Sequence, residues 1–165
     1  MNLATFTLGK DKKSMTINWA FDAPIEKVWA AFTTQELLEQ WWAPKPWKAV
    51  TKEFDFRDGG HWLYAMTSPE GKKHWSKEDY QGVKVHQSFE ANDYFCDQEG
   101  RVDPQMPTNH WLVEFTNQDD QTLVTVTMAC RSTADLQKLI DMGFKEGFTM
   151  GLNQLDELLS RPDTN

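Results

Sequence analysis

Cysteine is nearly absent. The 165 residues hold two, Cys96 and Cys130, with no C-x-x-C motif and too few thiols for a disulfide framework. A reducing, cytoplasmic setting is therefore expected. Positive charge is also scarce: 17 Lys and Arg stand against 25 Asp and Glu, a formal net charge of −8 and a pI near 4.9. Phosphate contacts require clustered cations, so nucleic acid is excluded as a partner, and so is attraction to an anionic membrane surface. Long hydrophobic runs are missing. The longest unbroken apolar stretches, residues 28–32 and 62–66, are five residues each, against about 20 for a membrane-spanning helix. No membrane insertion is expected, and the lack of a basic leading segment argues against a secretory signal.

Familiar catalytic and metal signatures are missing as well. There is no G-x-S-x-G, no phosphate loop and no G-x-G-x-x-G. His61, His74, His86 and His110 are widely spaced and form no H-E-x-x-H, so neither a metal site nor a cofactor is expected. Glu78-Asp79 are neighbours on a strand and point to opposite faces, a poor catalytic pair. Asp119-Asp120 fall in a turn, where solvation accounts for them. No catalytic residue is assigned.

Aromatic residues are abundant: 8 Trp, 10 Phe and 3 Tyr, 13% of the chain. Indoles are large and carry one donor, and two explanations serve equally: a Trp-rich core, or the lining of a ligand cavity.

Residues 1–14 show no clear periodicity and read as a poorly ordered arm or a loosely attached strand. Met15, Ile17, Trp19 and Phe21 then alternate with small or polar residues, a half-buried strand. Pro24 opens a helix whose stripe is Ile25, Val28, Trp29 and Phe32. Thr33 and Glu36 have the spacing of a capping box and predict a second short helix ending in Trp41-Trp42 before Pro44 and Pro46. From Trp47 to Cys130 the pattern is strand and turn, a meander of about six antiparallel strands. In it, Trp62, Tyr64 and Met66 share one face, and Trp111, Val113 and Phe115 share another. Ser132 and Asp135 form a capping pair that begins a helix of about 27 residues, about 40 Å long, with Pro162 just beyond its end. Gly143, Gly147 and Gly151 lie on one stripe of it, and each costs roughly 1 kcal/mol relative to Ala. Close packing on a curved sheet, or room for a ligand, would each explain them.

The order predicts one α+β domain over residues 15–160, with an arm at 1–14 and a tail at 161–165. A curved antiparallel sheet of about six to seven strands would wrap a long C-terminal helix, with two short helices after the first strand. Val28-Trp29-Ala30-Ala31-Phe32-Thr33, then Glu36-Leu37-Leu38 and Trp41-Trp42-Ala43-Pro44, resemble the opening motif of the activator of heat-shock protein 90 ATPase homologue-like family. That family sits within the START-like superfamily of polyketide cyclases and lipid carriers. The Gly59-Gly60 strand with its Pro69-Glu70-Gly71 turn, and Gly147-Phe148 with Leu152 and Leu155, resemble two further family motifs. In the last of these a Gly-Trp pair is more usual, so Phe148 is a departure. The resemblance implies the helix-grip fold and carries no shared catalytic set. Its members' roles imply three functions: a small-ligand binder, a co-chaperone-like partner of a heat-shock protein 90 type ATPase, and a polyketide cyclase-like enzyme, here with Tyr64 or His74 moving a proton.

The expected function is binding of a small apolar or aromatic molecule between sheet and C-terminal helix. The candidate ligand-binding residues are Trp42, Trp62, Tyr64, Met66, His74, Trp111, Phe115, Phe144 and Phe148. The expected partner is a small hydrophobic molecule, with a chaperone as the alternative, and the chain is expected to be a monomer or a homodimer.

Overall fold

Strand alternation in this chain translates directly into one buried face. In the computed structural model, which describes residues 4–161, Met15, Ile17, Trp19 and Phe21 of β2 (Ser14–Phe21) are all buried. Three of their partners on β8 (Gln121–Cys130) are apolar too: Met15 faces Met128, Ile17 faces Val126 and Trp19 faces Val124, while Phe21 faces Thr122. β1 (Thr5–Leu8) pairs antiparallel with β2 along its whole length. Pro162, expected just past the last helix, lies outside the described residues.

The rest of the sheet is a meander. β3 (Lys48–Phe54), β4 (His61–Thr67), β5 (Lys73–Lys84), β6 (Ser88–Phe95) and β7 (Asn109–Gln118) pair in sequence order, and β7 pairs with β8. The spatial order is β1-β2-β8-β7-β6-β5-β4-β3, one eight-stranded antiparallel sheet. The additional strand relative to expectation is β1. The sheet and helices have the helix-grip arrangement.

After β2 the chain turns through Pro24 into α1 (Ile25–Thr33), which buries Val28, Trp29, Ala31 and Phe32, and then into α2 (Gln35–Trp41), which buries Leu38 and Trp41. The expected Thr33–Glu36 capping box does not form. Thr33 is the last residue of α1 and its hydroxyl donates to the Trp29 carbonyl one turn back, at 2.8 Å. Thr34 stands at the N-terminus of α2 without a side-chain cap. The Ser132 cap does form, accepting from the Asp135 amide at 3.1 Å.

The single long C-terminal helix is also corrected. It is two helices, α3 (Thr133–Asp141) and α4 (Phe144–Ser160), separated at Met142-Gly143. Gly143 has φ +93°, a left-handed conformation that ends one helix and starts the next at another angle.

Neither of the other two glycines packs on a strand: Gly147 borders the space between helix and sheet, and Gly151 meets α2. A Cβ on Gly151 would meet the carbonyl oxygens of Trp41 and Trp42 at 3.3 and 3.4 Å, so α4 crosses the C-terminal end of α2 at backbone contact. Gln154 fastens the crossing: its amide nitrogen donates to the carbonyls of Trp41 and Ala43, both at 2.9 Å, and its oxygen accepts from the Lys45 amide. Gly147 is looser, its virtual Cβ 3.6 Å from Pro44 Cγ, an ordinary contact. Gly147→Ala should therefore keep most of the roughly 1 kcal/mol that Ala gains over Gly in a helix. The melting temperature should rise by about 2–4 °C. A fall in a thermal melt would contradict the open contact.

Candidate functional site

Between the concave face of the sheet and helices α3 and α4 lies a partly enclosed cavity of about 260 Å³. Its walls follow from strand parity. Tyr64 and Met66 of β4, Ser76 and Glu78 of β5, Asp93 and Phe95 of β6, and Asn109 and Trp111 of β7 all point inward. The helical side is Leu139 of α3, the Met142-Gly143 break, and Phe144, Gly147 and Phe148 of α4. Trp42 and Pro44, just past α2, close a third side.

The aromatic walls brace one another. Phe144 and Phe148 stack at 5.5 Å, and the edge of the Trp111 ring meets both, at 6.0 and 5.3 Å. Trp42 lies 5.9 Å from Trp111 and 6.3 Å from Phe148. His74 stands exposed at the rim, with its ring 5.3 Å from that of Trp47.

Two candidates lie elsewhere. Trp62 is fully buried, stacked on Tyr64 at 3.9 Å, with its N–H donated to Thr51 Oγ1 at 2.9 Å. It borders only a void of about 20 Å³, room for about one water. Phe115 is core, packed at 5.1 Å against Trp29 and 5.4 Å against Phe32. Both share the inward parity of the cavity residues but lie further along their strands, under α1 and α2. The other seven, Trp42, Tyr64, Met66, His74, Trp111, Phe144 and Phe148, line the cavity.

The polar end of the cavity is a feature that sequence reasoning missed. Glu78 and Asp93 face each other directly across β5 and β6, and Asp93 faces Asn109 across β6 and β7. In the sequence Glu78 pairs visibly only with its chain neighbour Asp79. The available signal was Asp93 itself, in register with the apolar Phe89, Ala91 and Phe95 and hence on the inward face.

A hydrogen-bond chain ties these groups to the aromatic wall. Trp42 Nε1 donates to Tyr64 Oη at 2.9 Å, and Tyr64 Oη donates to Glu78 Oε1 at 3.4 Å. On the other side Trp111 Nε1 donates to Asn109 Oδ1, and Asn109 Nδ2 donates to Asp93 Oδ2 at 3.2 Å. Burial pushes the Glu78 carboxyl well above the usual carboxylate range, and the negative charge of Asp93 pushes it further. Asp93 is raised too, by burial, against the lowering effect of its hydrogen bonds with Glu78 and Asn109. Glu78 thus keeps a proton and donates it to Asp93, one proton shared by two carboxyls. Burial, and then the negative charge of the acidic pair beside them, push the Tyr64 and Tyr80 phenols well above their usual range, so both stay neutral.

Cys96 and Cys130 are free, and burial pushes both thiols up to about 11, which leaves them protonated and poor nucleophiles. His61 pairs with Glu53 at 2.7 Å and His110 with Glu90 at 2.9 Å, both away from the cavity. Among the described residues no helix is long and apolar enough to cross a membrane.

The family model described as "Activator of Hsp90 ATPase homolog 1-like protein" matches residues 22–160, most of the chain and every cavity element. The chain belongs to this family. Solved structures similar to this member of the Hsp90-activator-homologue family include protein Ms6760 from Mycobacterium smegmatis, 29% identical with TM-score 0.88, covering 98% of this chain and 99% of that one. A protein from Arthrobacter aurescens is 28% identical with TM-score 0.89, over 97% and 93% of the two chains. One from Staphylococcus epidermidis is 32% identical with TM-score 0.82, over 96% and 98%. Among curated proteins none matches. The helix-grip fold of the family is one that supports a ligand-binding domain.

Proposed function

We propose that this protein binds a small apolar or aromatic molecule in the cavity between the sheet and helices α3 and α4. The observation that carries the reading is the cavity itself: about 260 Å³ bounded by Trp42, Trp111, Phe144 and Phe148, with a few convergent polar groups at one end. Apolar walls with sparse polar anchors are what a site for a small molecule requires. The aromatic side supplies contact area and the Tyr64–Glu78–Asp93–Asn109 end supplies orientation.

Titration with the neutral probe N-phenyl-1-naphthylamine tests this. Its emission should rise on entering the wild-type cavity. In Phe148→Asp the affinity should fall at least about tenfold, since an unpaired carboxylate placed against an apolar ligand costs more than about 1.4 kcal/mol. Circular dichroism verifies that the variant is folded. An unchanged titration would sink the reading.

The second reading is docking on a chaperone, favoured by the family's description as homologues of an Hsp90 ATPase activator. It predicts stimulation of an Hsp90-type ATPase that survives Phe148→Asp. Stimulation without any response of the cavity to the probe would put this reading first.

A further inference from the structure

We propose that the molecule this cavity takes is an aromatic or apolar amine, bound as its ammonium ion with the charged end against Glu78 and Asp93. The inference rests on the ligand-binding reading above and specifies the ligand's chemistry. Its basis is a mismatch of charge. Two acidic side chains are brought together by strand register, on the inward face of the sheet, at the wall of an otherwise apolar cavity. Glu78 is only 6% exposed. Among the described residues no Lys, Arg or His is ion-paired with Glu78 or Asp93. A buried carboxylate without a cation is costly.

The empty protein meets that cost with a shared proton. An ammonium group meets it better. It brings one positive charge and several donors to the carboxylate oxygens. The apolar body of the amine fills the aromatic part of the cavity. A carboxylate-bearing ligand would instead meet like charge at close range. Binding is then an exchange in which the ammonium ion enters and the proton held between Glu78 and Asp93 leaves to solvent.

Exchange makes amine affinity rise with pH. The other titratable groups facing the pair are Tyr64 on β4 and Tyr80 on β5, both held neutral, and His74 at the rim. The helical lining residues, Leu139, Met142, Gly143, Phe144, Gly147 and Phe148, carry no titrating side chain.

Isothermal titration with three probes of one shape decides the matter: 2-phenylethylamine, 2-phenylethanol and phenylacetate. At neutral pH the amine should bind at least about tenfold tighter than the alcohol, and phenylacetate should be weakest. The heat should depend on the buffer's ionisation enthalpy, because a proton is released. Affinity for the amine should climb between about pH 5 and pH 8, and should do so in His74→Gln as well, which assigns the dependence to the pair. Glu78→Gln and Asp93→Asn should each remove the amine's advantage over the alcohol. Alcohol binding as tightly as amine, with both responding to Phe148→Asp, would overturn the cation assignment and leave the cavity reading standing. Binding by none of the three would overturn both.

Discussion

Glu78→Gln is expected to stabilise the protein at pH 8, by an amount on the order of 1–3 kcal/mol. Folding places the carboxyl of Glu78 in a buried site beside Asp93, which raises its proton affinity above the ordinary value of 4.5. In the unfolded chain the same group loses its proton near that ordinary value. Above it the folded state binds more protons than the unfolded state, and stability falls as pH rises until the folded group also ionises. Asp93 acts in the same direction, from its ordinary value of 3.8 upward. The wild-type protein should therefore gain stability on acidification from about pH 8 to pH 5. Asp11, Glu53 and Asp97 have lowered values and work the other way, with their contribution lost on further acidification. A neutral amide at position 78 keeps a donor toward Asp93 and removes the charge. Urea denaturation at pH 5 and pH 8 measures the effect. A Gln variant less stable than wild type at pH 8 would show that the carboxyl pair is a net stabilising contact.

Trp41→Ala should cost about 3–5 kcal/mol, the range for deleting a large buried aromatic side chain. Trp41 is 1% exposed, its ring lies 4.8 Å from Phe32, and its N–H donates to the Ala31 carbonyl at 2.9 Å. The cavity left behind would sit where α4 crosses α2, under the Gly151 contact and the Gln154 bonds. Trp42→Ala should cost less, because Trp42 is only half-buried, but should weaken probe binding, since its ring is cavity wall. Denaturation and probe titration on both variants separate the roles. Equal stability losses would erase the distinction between core Trp41 and cavity Trp42.

These two indoles also mark the limit of what local pattern reveals. Alternation in Met15 to Phe21 is readable because one face of a strand is buried over its full length. The same parity places Tyr64, Met66 and Trp111 on the inward face, and it places Trp62 and Phe115 there too. Depth along the strand decides which residues meet the cavity and which lie beneath α1 and α2, and parity carries no information about depth. The break at Gly143 was hidden because Leu136, Ile140, Phe144 and Phe148 keep helical spacing straight through it; only the backbone dihedral reveals the turn. Thr33 and Glu36 have the right spacing for a cap, but α1 runs one residue further and uses the threonine hydroxyl internally. The Glu78–Asp93 pair depends on the register of two strands joined at Val85 to Gln87, with a shift between Gln81 and Lys84. Such a shift is set by tertiary packing rather than by neighbours in the chain.

The sheet order has a temporal consequence. Every pairing from β3 to β8 joins neighbours in the chain, and each hairpin can close as soon as its second strand exists. β2 is different: Asn18 is bonded to Thr125, 107 residues later, and the Ala23 carbonyl to the hydroxyl of Thr122. Made well before β8, β2 is therefore one of the last strands to acquire its central partner. Until β8 is made, Ile17, Trp19 and Phe21 have no sheet neighbour on that side. The loop closed by this pairing is the largest entropic step in assembling the sheet, and its cost grows only with the logarithm of its length. A chain released at the β7–β8 turn would hold β3 to β7 of the meander and an unclosed fold.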